Sequence, residues 1–187
     1  MRYHNITRDD MLNGDGLRVV LWLSGCTHCC KGCHNPITWD PNGGLLFDEA
    51  AKEEIFDQLS KSYISGITFS GGDPLYPSNT LEVKDLMTEI REKFPDKTIW
   101  LYTGSSWEQI ARLPMMSMVD VLVDGEFIEE KKDPKLLWKG SSNQRVIDVK
   151  KTLMQEDIIT PVIYCGDYSQ DTGSGTFQTA GITDCAG

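Results

Sequence analysis

One run, Arg18-Val19-Val20-Leu21-Trp22-Leu23, constrains the fold most. It is apolar and β-branched with almost no alternation, which suits a strand covered on both faces, as in a parallel sheet. Parallel strands need long crossovers, and the chain supplies helical patterns between further strand-like runs at 65–70, 98–104 and 119–125. The first pattern begins at Asp48, a residue type that caps helix N-termini, and puts Ala50, Ala51, Ile55, Phe56 and Leu59 on one apolar stripe. The second runs over 80–93 with Leu81, Val83, Leu86, Met87 and Ile90, and is closed by Pro95. Ser105 or Ser106 caps a short third that extends through Ile110 and Leu113.

This order predicts an α/β fold with a mostly parallel sheet. About four or five strand–helix units fit the length, too few to close a ring. The expected architecture is a partial, open (β/α) barrel, whose open flank would admit a macromolecular substrate. Residues 1–12 are polar without a clear period, and Asn13-Gly14-Asp15-Gly16 reads as a tight turn feeding the first strand. Val146, Ile147 and Val149 read as a short last strand, and 126–135, with charges of both signs, as a solvated face.

A formal net charge of −10 opposes attraction to phosphate backbones and anionic membranes, so neither nucleic acid nor membrane is an expected partner. The N-terminus carries no secretion signal and no apolar run approaches a span of about 18 residues. A cytoplasmic protein is expected. Four of its six cysteines, Cys26, Cys29, Cys30 and Cys33, fall within residues 26–33, a crowding that points to a metal site rather than a disulfide framework.

Cys26, Cys30 and Cys33 stand at C-x3-C-x2-C spacing, unlike the paired C-x2-C of zinc ribbons or the four-thiolate runs of ferredoxins. Three thiolates can hold three irons of a 4Fe-4S cube and leave the fourth iron open for an outside ligand. Cys29 adjoins Cys30 and points another way, although spacing alone leaves the set Cys26, Cys29, Cys33 open. His28 and His34 flank the cluster and could ligate zinc, with a surface or supporting role the plainer reading. After the 65–70 run, Gly71-Gly72-Asp73-Pro74 brings main chain close to a ligand and offers a carboxylate to an ammonium group.

The cysteine spacing resembles that of the radical S-adenosylmethionine enzymes. Its surroundings resemble one branch, the glycyl-radical activases that serve anaerobic ribonucleoside-triphosphate reductase. The carrying segments are Asn13-Gly14-Asp15-Gly16-Leu17-Arg18, 24–35, Ser70-Gly71-Gly72-Asp73-Pro74-Leu75, Val123-Asp124-Gly125 and Gly140-Ser141-Ser142-Asn143-Gln144-Arg145. The resemblance implies one 4Fe-4S cluster on Cys26, Cys30 and Cys33. It also implies S-adenosyl-L-methionine, held by the main chain of Gly32, Cys33 and His34 at its adenine and by Gly71, Gly72, Asp73 and Pro74 at its methionyl amine.

It further implies a glycyl-radical-generating oxidoreductase acting on the reductase's large subunit, with a low-potential flavodoxin or ferredoxin as electron donor. The fold implied is the partial barrel of the radical S-adenosylmethionine type, occupying residues 1–151. Residues 152–187 read as an extension with one extra strand over 158–164 and a flexible tail from 170, carrying isolated Cys165 and Cys185.

No acid, base or side-chain nucleophile is nominated. Asp124 serves a polar contact or a turn, and 140–145 a cofactor or partner contact. Two rivals stand beside this reading. One is the activase of another glycyl-radical enzyme such as pyruvate formate-lyase; the other is a non-catalytic zinc-binding interaction module.

Overall fold

The computed structural model describes residues 1–155 and 157–161. Its strands are β1 (Arg2–Asp10), β2 (Leu17–Leu23), β3 (Leu45–Leu46), β4 (Ile64–Gly71), β5 (Thr98–Tyr102), β6 (Val121–Asp124) and β7 (Arg145–Asp148). The helices are α1 (Glu49–Leu59), α2 (Thr80–Lys93), α3 (Trp107–Ile110) and α4 (Val149–Met154). All seven strands form one sheet in the order β3-β1-β2-β4-β5-β6-β7, with β3 and β7 as its open edges.

The centre is parallel, as expected: β2 pairs with β4, β4 with β5 and β5 with β6. The flanks are antiparallel, since β1 pairs with both β2 and β3, and β7 with β6. The fold is therefore mixed α/β, parallel only in the middle. Strand β1 occupies the stretch without a legible period. Ile6 is its single buried residue, and register shifts between Tyr3 and Asn5 and between Thr7 and Asp10 break the alternation that would mark a strand.

The sheet's two faces differ. Val19, Leu21, Leu23, Ile67, Phe69, Ile99, Leu101, Leu122 and Ile147 join one core with the helices. From α1 and α2 that core receives Ile55, Leu59, Val83, Met87 and Ile90, all fully buried. Each such side chain contributes about 1.5–3 kcal/mol by leaving water. Asp48 caps α1 by accepting from the Ala51 N–H, and the Ser106 N–H donates to Gln109 Oε1 at the start of α3.

The opposite face carries Trp100, Val121, Val123 and Val146, with Tyr102 and Trp138 packed against them. It also carries Arg18, fully buried, whose guanidinium donates to Thr68 Oγ1, Thr98 Oγ1 and the carbonyls of Asp15, Ile67 and Thr98 and lies 5.2 Å from the Trp100 ring. One face is thus the structural core, and the other holds polar groups and a cavity.

Val149 does not extend the last strand. It opens α4, where the Asp148 carboxylate accepts from the Lys151 N–H and ends β7. Residues 157–161 carry no strand; the Asp148 N–H donates to the Ile159 carbonyl and the Ile159 N–H to Thr152 Oγ1. The rest of the expected extra strand, the tail, Cys165 and Cys185 lie outside the described residues. Among the described residues no helix is long and apolar enough to cross a membrane.

Candidate functional site

A cavity of about 520 Å³ opens at the carboxyl ends of β2, β4, β5 and β6, where parallel strands gather ligands. The cysteine loop forms one wall. Its entry is pinned by three main-chain bonds: Gly25 N–H to Thr38 O, Cys26 N–H to Trp39 O and Asp73 N–H to Gly25 O. Cys26, Cys30 and Cys33 line the cavity, whereas Cys29 does not and is exposed, the chain reversing there at φ 49°. His34, Gly71, Gly72 and Asp73 line the same space; Gly32 and Pro74, their chain neighbours, do not.

The Gly71-Gly72 turn is a close approach of backbones. Gly71 has φ 100°, and a Cβ on Gly72 would sit 2.5 Å from the Gly25 carbonyl oxygen. The cysteine loop and this turn are therefore built against each other.

Asp73 is buried at 4% exposure, and its carboxylate is a hub. Oδ1 accepts from the Leu75 N–H at 2.8 Å and Oδ2 lies 2.7 Å from His28 Nε2. The Thr103 hydroxyl bridges both oxygens at 3.0 and 2.9 Å, and the Gly104 N–H reaches Oδ2 at 3.3 Å. His28 Nδ1 lies 3.0 Å from Glu126 Oε1. The Asp73 hydrogen bond, with Glu126 adding and burial opposing, raises the His28 pKa to about 9, so both ring nitrogens donate. His28 is thus engaged on both sides and is not a spare metal ligand.

Burial pushes the Cys26 and Cys30 thiols up, so metal binding would release protons there. Among the described residues no three His, Cys, Asp or Glu side chains converge as the shell of a single ion. Three thiols on one cavity suit a cluster, in which each sulfur would meet its own iron.

The hexapeptide 140–145 works chiefly as an internal latch. Gln144 Oε1 accepts from the N–H groups of Gly140 and Ser141, and its Nε2 donates to the Gly125 carbonyl at 2.9 Å. Asn143 Nδ2 donates to the Glu126 carbonyl. Arg145 pairs with Asp124, itself 1% exposed, and with Glu108; Asp124 also accepts from the Trp107 N–H at 2.7 Å. This ties β6, β7 and α3 together beneath the loop that carries Glu126 and Phe127. Gly140 and Gln144 still line the cavity.

Thr103 and Glu126 complete the site beyond the residues nominated from the sequence, and His28 takes the supporting role read for it there. Thr103 was findable as the polar residue ending a buried strand. Glu126 was not, because its charged run resembles any solvated face.

Comparison with known proteins gives this arrangement a class. Residues 12–147 match the model of the family described as a 4Fe-4S single cluster domain. The chain is 47% identical over 146 residues to the anaerobic ribonucleoside-triphosphate reductase-activating protein of Enterobacteria phage T4, covering 78% of this chain and 93% of that one. The protein of the same name from Escherichia coli (strain K12) is 42% identical over 150 residues, covering 78% and 97%. That from Haemophilus influenzae is 40% identical over 148 residues, covering 77% and 96%. The chain belongs to the family of anaerobic ribonucleoside-triphosphate reductase-activating proteins, with a 4Fe-4S domain.

Proposed function

We propose that the chain activates an anaerobic ribonucleoside-triphosphate reductase by generating a glycyl radical on its large subunit. One observation carries the reading: Cys26, Cys30, Cys33 and the Gly71-Gly72-Asp73 turn open on one cavity at the strand ends. In this reading the three thiolates hold one 4Fe-4S cluster and leave an iron open. Bound there, the cluster would supply the electron for reductive cleavage of S-adenosyl-L-methionine to methionine and a 5′-deoxyadenosyl radical, which would take hydrogen from a glycine of the partner.

The chain's own residues bind, orient and exclude water. The main chain of Gly32, Cys33 and His34 would hold the adenine, and the Gly71-Gly72-Asp73-Pro74 turn the methionyl end. Trp22, Phe127, Leu136 and Trp138 give the cavity apolar walls that keep solvent from a reactive radical. The open sheet is then a partial (β/α) barrel of the radical S-adenosylmethionine type spanning 1–151. A low-potential flavodoxin or ferredoxin in the cytoplasm supplies the electron.

The test is anaerobic reconstitution with iron and sulfide, reduction, and addition of S-adenosyl-L-methionine. A brown protein that forms 5′-deoxyadenosine, with a Cys30→Ala variant that forms none, is the expected result. A colourless protein that holds zinc and cleaves nothing would overturn it.

A further inference from the structure

Main-chain bonds fix the two ends of the cysteine loop to each other, Gly25 to Thr38 and Cys26 to Trp39, and leave its middle to side-chain contacts. From Thr27 to Gly32 no main-chain N–H donates to a main-chain carbonyl, and the next such bond is the local one from the Cys33 N–H to the Cys30 carbonyl. His28 sits in that middle, two residues from Cys26 and two from Cys30. Its side chain is only 18% exposed. Its ring lies flat against Gly104, where a Cβ would be 2.5 Å from His28 Cδ2, so the β5 exit has no side chain in order to admit it.

Through Asp73 the imidazole reaches the β4 turn, and through Glu126 the loop after β6. The Asp73 carboxylate meanwhile has donors from Leu75, Thr103, Gly104 and His28 on its roughly four lone-pair sites, leaving little for an incoming ammonium group. The turn's main chain, not this carboxylate, is left to meet a ligand.

We propose that His28 is a positioning residue: the Glu126–His28–Asp73 clamp holds the thiols of Cys26 and Cys30 in register with the Gly71-Gly72-Asp73-Pro74 turn, and Asp73 serves as its anchor rather than as the amine ligand. This rests on the cofactor reading above and assigns the carboxylate a role within it. Two measurements test it.

The first needs no cofactor. Hydrogen exchange of the metal-free, reduced protein is followed, in the wild type, His28→Ala and His28→Gln, at the hydrogen-bonded amides of the clamp: Cys33, which donates to the Cys30 carbonyl, and Leu75 and Gly104, which donate to the Asp73 carboxylate. Exchange there is expected to accelerate about tenfold to a hundredfold in His28→Ala, the factor for losing a hydrogen bond to a charged group. His28→Gln, which keeps one donor toward Asp73, falls between. Unchanged exchange in His28→Ala overturns the clamp, and His28→Gln keeps the test open if the alanine variant does not fold.

The second is a double-mutant cycle on cluster-loaded protein, reading the dissociation constant for S-adenosyl-L-methionine by equilibrium dialysis. His28→Ala and Asp73→Asn should each weaken binding about tenfold, and the double variant no further, as for residues acting as one unit. Losses that multiply would mean that Asp73 meets the amine itself, overturning its role as anchor. A loaded wild type that binds no S-adenosyl-L-methionine overturns the functional reading instead, and the exchange measurement then decides the clamp alone.

Discussion

Replacing Arg145 by Ala leaves the Asp124 carboxylate buried at 1% exposure with its cation gone and only the Trp107 N–H in contact. Breaking a buried pair in this one-sided way costs about 3–5 kcal/mol. Arg145 itself is 38% exposed, so water enters the gap and the lower end, about 3 kcal/mol, applies. For a chain of this size that lowers the melting temperature by about 6–12 °C.

Glu108→Ala is the control. It removes the other partner of Arg145, whose side chain is 59% exposed, and costs under about 1 kcal/mol. Adding Asp124→Asn to Arg145→Ala should recover part of the loss, since Asn keeps an acceptor for the Trp107 N–H without a buried charge. Thermal unfolding of the reduced, metal-free protein by circular dichroism reads all three. If Arg145→Ala shifts the melting temperature no more than Glu108→Ala, the hexapeptide is not the latch described.

Acid should destabilise the fold through carboxylates held low. Arg145 chiefly holds Glu108 at about 2, and for Asp120 the bonds from Lys150, Arg91 and the Ile99 N–H outweigh the upward push of burial. Both lie below their unfolded values, so their contribution is present above about pH 4.5 and is lost as pH falls through the folded values, about 2 for Glu108; Asp120→Asn should flatten the fall in a melting-temperature series. Cys29→Ala should keep the iron content and brown colour of reconstituted protein, whereas Cys30→Ala loses both; the opposite pattern would assign the cluster to Cys26, Cys29 and Cys33. Gly66→Ala should unfold the sheet or cost about 3 kcal/mol or more, because its Cβ would lie 1.9 Å from the Thr98 carbonyl oxygen across the β4–β5 pair, and a normal melting curve would contradict that.

The parallel centre was legible because strands buried on both sides read as apolar runs, and the helices between them carry caps and a clean apolar face. Asp48, Ser106 and Pro95 mark helix ends that the structure reproduces to within a residue or two. The antiparallel flanks were not legible. Strand β1 is polar and interrupted by register shifts, and β3 is two exposed leucines whose pairing depends on where β1 lies. Val149 carries strand-like chemistry, but the Asp148 cap starts a helix there instead.

At the site, spacing within one loop pointed to Cys26, Cys30 and Cys33, and the strand-end glycines to the turn at 71–74. What spacing cannot reveal is contact between loops. His28 meets Asp73 at a separation of 45 residues and Glu126 at 98. The sequence therefore displayed the pieces of the clamp without its connections. The same holds for Arg18, which reads as the polar start of an apolar strand and is a fully buried cation that gathers three carbonyls and two threonines behind the cavity.

The most direct test of the account combines the reduced, reconstituted protein with S-adenosyl-L-methionine and the large subunit of an anaerobic ribonucleoside-triphosphate reductase, under strict anaerobiosis, and records electron paramagnetic resonance. The account predicts a glycyl radical signal on the large subunit that appears with 5′-deoxyadenosine and is absent when Cys26, Cys30 or Cys33 is replaced by Ala. Formation of 5′-deoxyadenosine with no radical on the reductase, but with one on pyruvate formate-lyase, would contradict it.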